Sequence, residues 1–352
     1  MLQRIVSCCV TLMWATSTLA CRGADGDDGS STGSTDGSST GSTGGSSTGD
    51  GSDNGGGDTG SASDPGNDSA SGAGDGVGEV VILVAAGSGV AGLEPGKKFE
   101  NTVDGWTVSY DKLIVTVGKV AVSSTNGGDA FNFGADQRSH IFDLRQAATP
   151  QEFTAGKVAP GIYEDLSFAV LGASETSQLV APATGADYDL MVKGGYSIYM
   201  EGTLTNPAGQ SCGPEDPNKC TPAPTITFKW GLASATEFSG CRGFTVERDQ
   251  TTTVTLTIPG DHWFRSSFAQ DALLWRRAQW VADADLDHNG ETTLEELKMI
   301  KGSLLFTPEL DYDLAGSPIP IDTPHDFLEA QVRTLGLNTA TGCQQGIPIT
   351  QP

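Results

Sequence analysis

Residues 22–78 cannot build a core, and this fixes where folding can begin. Of these 57 residues, 48 are Gly, Ser, Thr or Asp, Val77 is the single large aliphatic and no aromatic occurs. A chain with so little apolar surface cannot offset the conformational entropy lost on folding, so a disordered tract is expected. At the coil scaling of about 5–6 Å times the square root of the residue number, 57 residues span roughly 40 Å, and acidic self-repulsion lengthens them. The tract carries a charge of −9 and residues 79–352 carry −16, within a total of −24. Nucleic-acid phosphates need clustered Lys and Arg, which this sequence does not offer, so nucleic acid is excluded as a partner and metal cations are favoured. No apolar run of about 18 residues or more follows the N-terminus, so no membrane-spanning helix is expected beyond it.

What precedes the tract explains its use. Residues 1–20 read as a signal peptide, with Arg4 as the positive region, Ile5 to Leu19 as a short apolar stretch and small residues around Ala20. Leu19-Ala20-Cys21 resembles a bacterial lipobox, although Thr18 stands where that family usually has Leu. The resemblance implies lipidation at Cys21 and a membrane contact through this N-terminal anchor. Residues 21–78 then become anchor cysteine and tether, and the location becomes the cell envelope, at the outer membrane or cell surface.

Four cysteines remain: Cys212, Cys220, Cys241 and Cys343. An even number in an exported chain suits disulfides. Three pairings are open. A local Cys212–Cys220 bridge across the turn-rich Gly213–Lys219 stretch is preferred, which pairs Cys241 with Cys343. Zinc is disfavoured, because the spacing is not CxxC-like and no His lies close to any of the four.

The folded part is expected to be mainly β. Val80–Val84, Leu113–Val117, Tyr196–Gly202, Thr225–Trp230 and Thr253–Ile258 are apolar or alternating runs separated by Gly, Pro, Asn and Asp. That punctuation fits an antiparallel β-sandwich over residues 79–265. The remaining chain is long for one core, so residues 266–352 are assigned to a small C-terminal helical unit and tail. Apolar spacing places one helix from Asp271 to about Ala284 and a second through Leu294, Leu297, Ile300 and Leu304. A third opens at Thr323 with Pro324 and stops at Gly336.

Between the first two helices, Asp285 to Glu296 resembles an EF-hand loop over all twelve positions. Ca²⁺ takes six to eight oxygens. Asp285, Asp287 and Asn289 at positions 1, 3 and 5 would supply three side-chain oxygens, and Gly290 at position 6 the sharp turn. The resemblance gives Glu291 a backbone carbonyl ligand, Thr293 a hydroxyl or water ligand, and Glu296 a bidentate carboxylate. His288 is expected to face solvent. Thr292 departs from the aliphatic residue usual at position 8, which disfavours pairing with a second loop. A degenerate second site is conceivable at Asp311–Gly316. Thr293 and Glu296 also spell a helix capping box, the competing reading of the same residues.

Other signals carry less. Gly87–Gly92 matches GxGxxG but runs into Leu93-Glu94-Pro95-Gly96 where a nucleotide site needs a helix. His262 reads as structural, and Trp263, Trp275 and Trp280 as core. Finally, Gly195–Gly202, then Phe228-Lys229-Trp230-Gly231 and Cys241, resemble the methanobactin-associated periplasmic copper-binding proteins. That resemblance implies copper held by His and modified Trp, for which this chain offers His140, His262, His325 and Trp230. The reading is therefore an exported, lipid-anchored, non-catalytic Ca²⁺-binding protein, with copper handling as the alternative.

Overall fold

The β-branched runs fold as strands whose alternate side chains enter one core. The computed structural model describes residues 76–98, 101–124, 131–133, 138–268, 275–338 and 341–350. The expected signal peptide, Cys21 and the tract to residue 75 lie outside the described residues, as do Asp271 and Leu274. In chain order the strands are β1 (Gly78–Ala86), β2 (Thr107–Ser124), β3 (Phe131–Asn132), β4 (His140–Asp143), β5 (Gln151–Val158), β6 (Gly161–Val170), β7 (Gln178–Leu179), β8 (Ile198–Thr205), β9 (Gln210–Cys212), β10 (Cys220–Pro222), β11 (Thr225–Leu232), β12 (Thr236–Val246), β13 (Thr251–Ile258), β14 (Glu291–Thr292), β15 (Leu337–Asn338), β16 (Thr341–Gly342) and β17 (Ile347–Pro348). Val80, Ile82 and Val84 of β1 and Val254, Leu256 and Ile258 of β13 are buried, as period-two alternation requires.

One sheet runs β16-β15-β13-β1-β5, and a larger one runs β14-β11-β8-β2-β6-β12-β17, with β3 and β4 beside β2 and β7 beside β4. The sheets are mixed, which corrects the expected antiparallel arrangement. β1 pairs with β13 in parallel from Glu79 opposite Thr251 to Ala86 opposite Ile258, and antiparallel with β5. β4 with β7 and β11 with β14 are also parallel. Parallel neighbours need a long connection, and the chain between β1 and β13 holds most of the larger sheet. β9 and β10 form a separate ribbon closed by Cys212–Cys220, while Cys241–Cys343 ties β12 to the C-terminal segment.

The structure adds α1 (Gly185–Gly194), capped by Thr184 and Asp187, ahead of α2 (Gln279–Asp283), α3 (Leu294–Met299), α4 (Gly302–Leu305) and α5 (Pro324–Val332). The first expected C-terminal helix is short, because Arg276 bridges to Thr102 and Arg265 and keeps the segment before α2 extended. The second is broken: Ile300 and Lys301 are extended, and Gly302 N–H donates to Asp322 O at 2.7 Å. α5 has the expected Thr323 cap and Pro324 start but ends before Gly336. The helices bury Trp280, Leu297, Phe327 and Leu328 in the same hydrophobic cluster as Phe228 and Trp230 of β11. Trp280 stacks on Trp230 at 5.7 Å between ring centroids.

Candidate metal centre

The loop between α2 and α3 is shaped by its own acceptors. Asp285, only 2% exposed, takes Asn289 N–H at 3.1 Å on one carboxylate oxygen and Gly290 N–H at 2.9 Å on the other. Asp287 also takes Asn289 N–H at 3.2 Å, and Asn289 Oδ1 takes Glu291 N–H at 2.7 Å. His288 at φ 55° and Gly290 at φ 85° turn the chain through the left-handed region. At Gly290 a Cβ would make only ordinary van der Waals contact with Thr225 O at 3.7 Å, so the positive φ is what favours glycine there.

The far half of the loop is docked on a sheet. Glu291 and Thr292, positions 7 and 8, form β14 and pair with Thr227 and Phe228 of β11. Thr227 N–H donates to Gly290 O at 2.8 Å and Trp230 Nε1–H to Thr292 O at 2.9 Å. The edge of the larger sheet thus supplies the strand partner for positions 7 and 8 of the loop. Thr292 is fully buried, and its hydroxyl donates to Val281 O at 2.7 Å, so the polar residue at position 8 is satisfied inside the fold.

Glu296 does two jobs. One oxygen accepts Leu286 N–H at 2.9 Å across the loop, while the other accepts Thr293 N–H and Oγ1–H, each at 2.8 Å, completing the capping box of α3. Carboxylate oxygens of Asp285, Asp287 and Glu296 lie within 4.8 Å of one another. Asn289 is joined to them through Nδ2–H to Asp287 at 3.0 Å, whereas the Thr293 hydroxyl is engaged as the helix cap and Glu291 lies in β14. Burial raises the Asp285 carboxyl above its ordinary range; the Gly290 and Asn289 N–H bonds oppose this, and the charges of Glu296 and Asp287 reinforce it. A cation among these oxygens would reverse that repulsion, and an all-oxygen donor set suits a hard one.

The remaining candidates separate from this centre. His288 is exposed, as expected, and its Nδ1 lies 3.3 Å from both Ser211 Oγ and Thr221 Oγ1 on the disulfide ribbon. Asp311 pairs with Arg277 and Asp313 accepts Ala315 N–H, and neither joins a ligand cluster among the described residues. His262 is buried against Thr334 Oγ1 at 2.6 Å. Among the described residues, no group of three or more ligating side chains includes His140, His262 or His325. The GxGxxG segment is a turn, with Ser88 donating to Asp261 at 2.8 Å.

No helix among the described residues is long and apolar enough to cross a membrane. No family model matches the chain, and no curated protein matches it. Among solved structures, MbnP from Methylosinus trichosporium is similar over 53% of this chain and 77% of that one, with 11% sequence identity and a TM-score of 0.29.

Proposed function

We propose that this chain is an exported, non-catalytic calcium-binding protein, lipid-anchored at Cys21, in which the two main sheets form a sandwich and residues 285–296 hold one Ca²⁺ as an EF-hand. The convergence of three carboxylates within 4.8 Å carries the reading. It occurs inside a loop whose twelve positions follow the calcium spacing, and whose N–H groups already aim Asp285 and Glu296. The two disulfides agree with an oxidising compartment. The ion's role is structural. At free Ca²⁺ of one to ten times Kd it adds about 0.4–1.4 kcal/mol to the folded state.

Calorimetric titration of the metal-stripped full chain with Ca²⁺, and in parallel with Cu²⁺, tests this. One Ca²⁺ site is expected, with Kd on the order of 10⁻⁴–10⁻³ M, as in extracellular modules. Asp285→Ala and Glu296→Gln should each abolish it. Gln keeps one acceptor oxygen for the Thr293 cap but turns its NH2 toward Leu286 N–H, so this variant removes the ligand charge together with that loop contact. Silence with Ca²⁺ together with a saturable Cu²⁺ site would replace this reading with copper handling.

A further inference from the structure

The Cys212–Cys220 bridge closes a short ribbon on which the Asp285–Glu296 loop leans. β9 and β10 are three residues each, Cys212 faces Cys220 in their register, and Pro222 brings no N–H to the ladder. A pair of strands this short is marginal in water without further support. From the ribbon, contacts reach both the entry and the turn of the loop. Cys212 N–H donates to Asp283 Oδ1 at 2.8 Å. Gln279 Nε2–H donates to the same Asp283 oxygen at 2.8 Å and to Gln210 O at 2.7 Å. Asp283 is the last residue of α2 and stands two residues ahead of Asp285. Further on, His288 Nδ1 meets Ser211 Oγ and Thr221 Oγ1, each at 3.3 Å, where the chain turns at φ 55°.

The two bridges differ in exposure. Cys241 is fully buried and Cys343 is 3% exposed, whereas Cys212 and Cys220 are both half-buried. Thiol–disulfide exchange needs a thiolate to reach a sulfur, so access ranks the two bridges while the protein is still folded. We infer that Cys212–Cys220 is a thiol-responsive clasp, opened by a dithiol while Cys241–Cys343 stays closed, and that its opening releases the Asp285–Glu296 loop from the ribbon without unfolding the sheets. A thiolate of the dithiol attacks one of the two sulfurs and forms a mixed disulfide, and the other sulfur leaves as a thiolate that takes up a proton. The second thiol of the reductant then displaces the protein sulfur and closes the reductant's own disulfide. Two electrons and two protons thus pass from the dithiol to Cys212 and Cys220. With the bridge open, the ribbon no longer holds Asp283 and His288 against a fixed partner. No step needs a cation in the loop.

The full chain, in EDTA, is treated with dithiothreitol under native conditions, and free thiols are trapped with iodoacetamide at timed intervals and located by peptide mass mapping. Cys212 and Cys220 should be trapped about tenfold faster than Cys241 and Cys343, or more. In the selectively reduced protein, hydrogen exchange across residues 284–291, which include the bonded Leu286, Asn289 and Gly290 amides, should rise about tenfold while β1 and β13 stay protected. Cys212→Ser with Cys220→Ser, in the absence of reductant, should show the same faster loop exchange. Failure to trap Cys212 and Cys220, or equal rates for all four cysteines, overturns the proposal. Loop exchange that is unchanged after selective reduction, or in the double variant, does the same. Loss of protection in β1 and β13 along with the loop overturns it equally, because the bridge would then support the whole fold and not the loop.

Discussion

Asp261 and His262 sit side by side, both buried, and pull acid stability in the same direction over different ranges. Burial alone would raise Asp261. The positive charges of His262, Arg265 and Arg276 and the Ser88 bond outweigh it and hold the carboxyl at about 2. His262 is lowered to about 3 by burial, aided by the charge of Arg265. A depressed histidine is neutral in the fold but takes a proton when unfolded, so its contribution is full above about 6.5 and is lost as pH falls toward about 3. Asp261 contributes above the unfolded carboxylate value near 4 and is lost only as pH falls from there toward about 2. At pH 5 the histidine term therefore lowers stability by roughly 2 kcal/mol relative to neutral pH. His262→Asn, which keeps a polar partner for Thr334, should flatten the pH dependence between about 3 and 6.5. Denaturant midpoints for both proteins at pH 7.5, 6 and 5 measure it; parallel slopes would refute the assignment.

In β14, two residues join the Asp285–Glu296 loop to β11, and Thr292 supplies the buried hydroxyl. Thr292→Val keeps the shape and removes the donor to Val281 O, which retains Ala284 N–H at 3.3 Å. A stability loss of about 1 kcal/mol is expected. Under the proposed function, Ca²⁺ affinity should change less than threefold, because no proposed ligand oxygen is touched; thermal melts and calcium titration of the variant check both. This docking was not legible in the sequence. The aliphatic rule at position 8 assumes a second loop as partner, whereas β11 lies more than 60 residues away in the chain. The strands themselves were legible, since their β-branched runs state the period locally. Partner direction was not, and β1 beside β13 is parallel for reasons set by the whole connection. α1 lacks the apolar stripe that marks most helices, because only Asp187 and Met191 are buried along it. Its sequence signals were the Thr184–Asp187 cap spacing and Gly195 at φ 60°. The carboxylate cluster was legible because Asp285, Asp287 and Glu296 fall within one twelve-residue stretch.

Across the whole chain the two disulfides close loops of very different size, with sequence separations of 8 and 102. Loop-closure entropy assigns about 2.5 kcal/mol to the short bridge and about 4.7 kcal/mol to the long one. Cys241→Ser with Cys343→Ser should therefore lower the melting temperature more than Cys212→Ser with Cys220→Ser; calorimetry of the two double variants would reverse that ranking if the bridges act through local packing instead. Cys241 lies in β12 and Cys343 just after β16, so the long bridge fastens the C-terminal strands to the larger sheet. The opposite end is fastened without a covalent bond. β1 is an interior strand, matched over eight residues to β13 and over seven to β5. A pull applied to the chain ahead of Gly78 would load this strand along its length, and its hydrogen bonds on both flanks would have to fail in shear as a group. β1 is thus a mechanical clamp, able to hold the folded part against tension applied at Gly78.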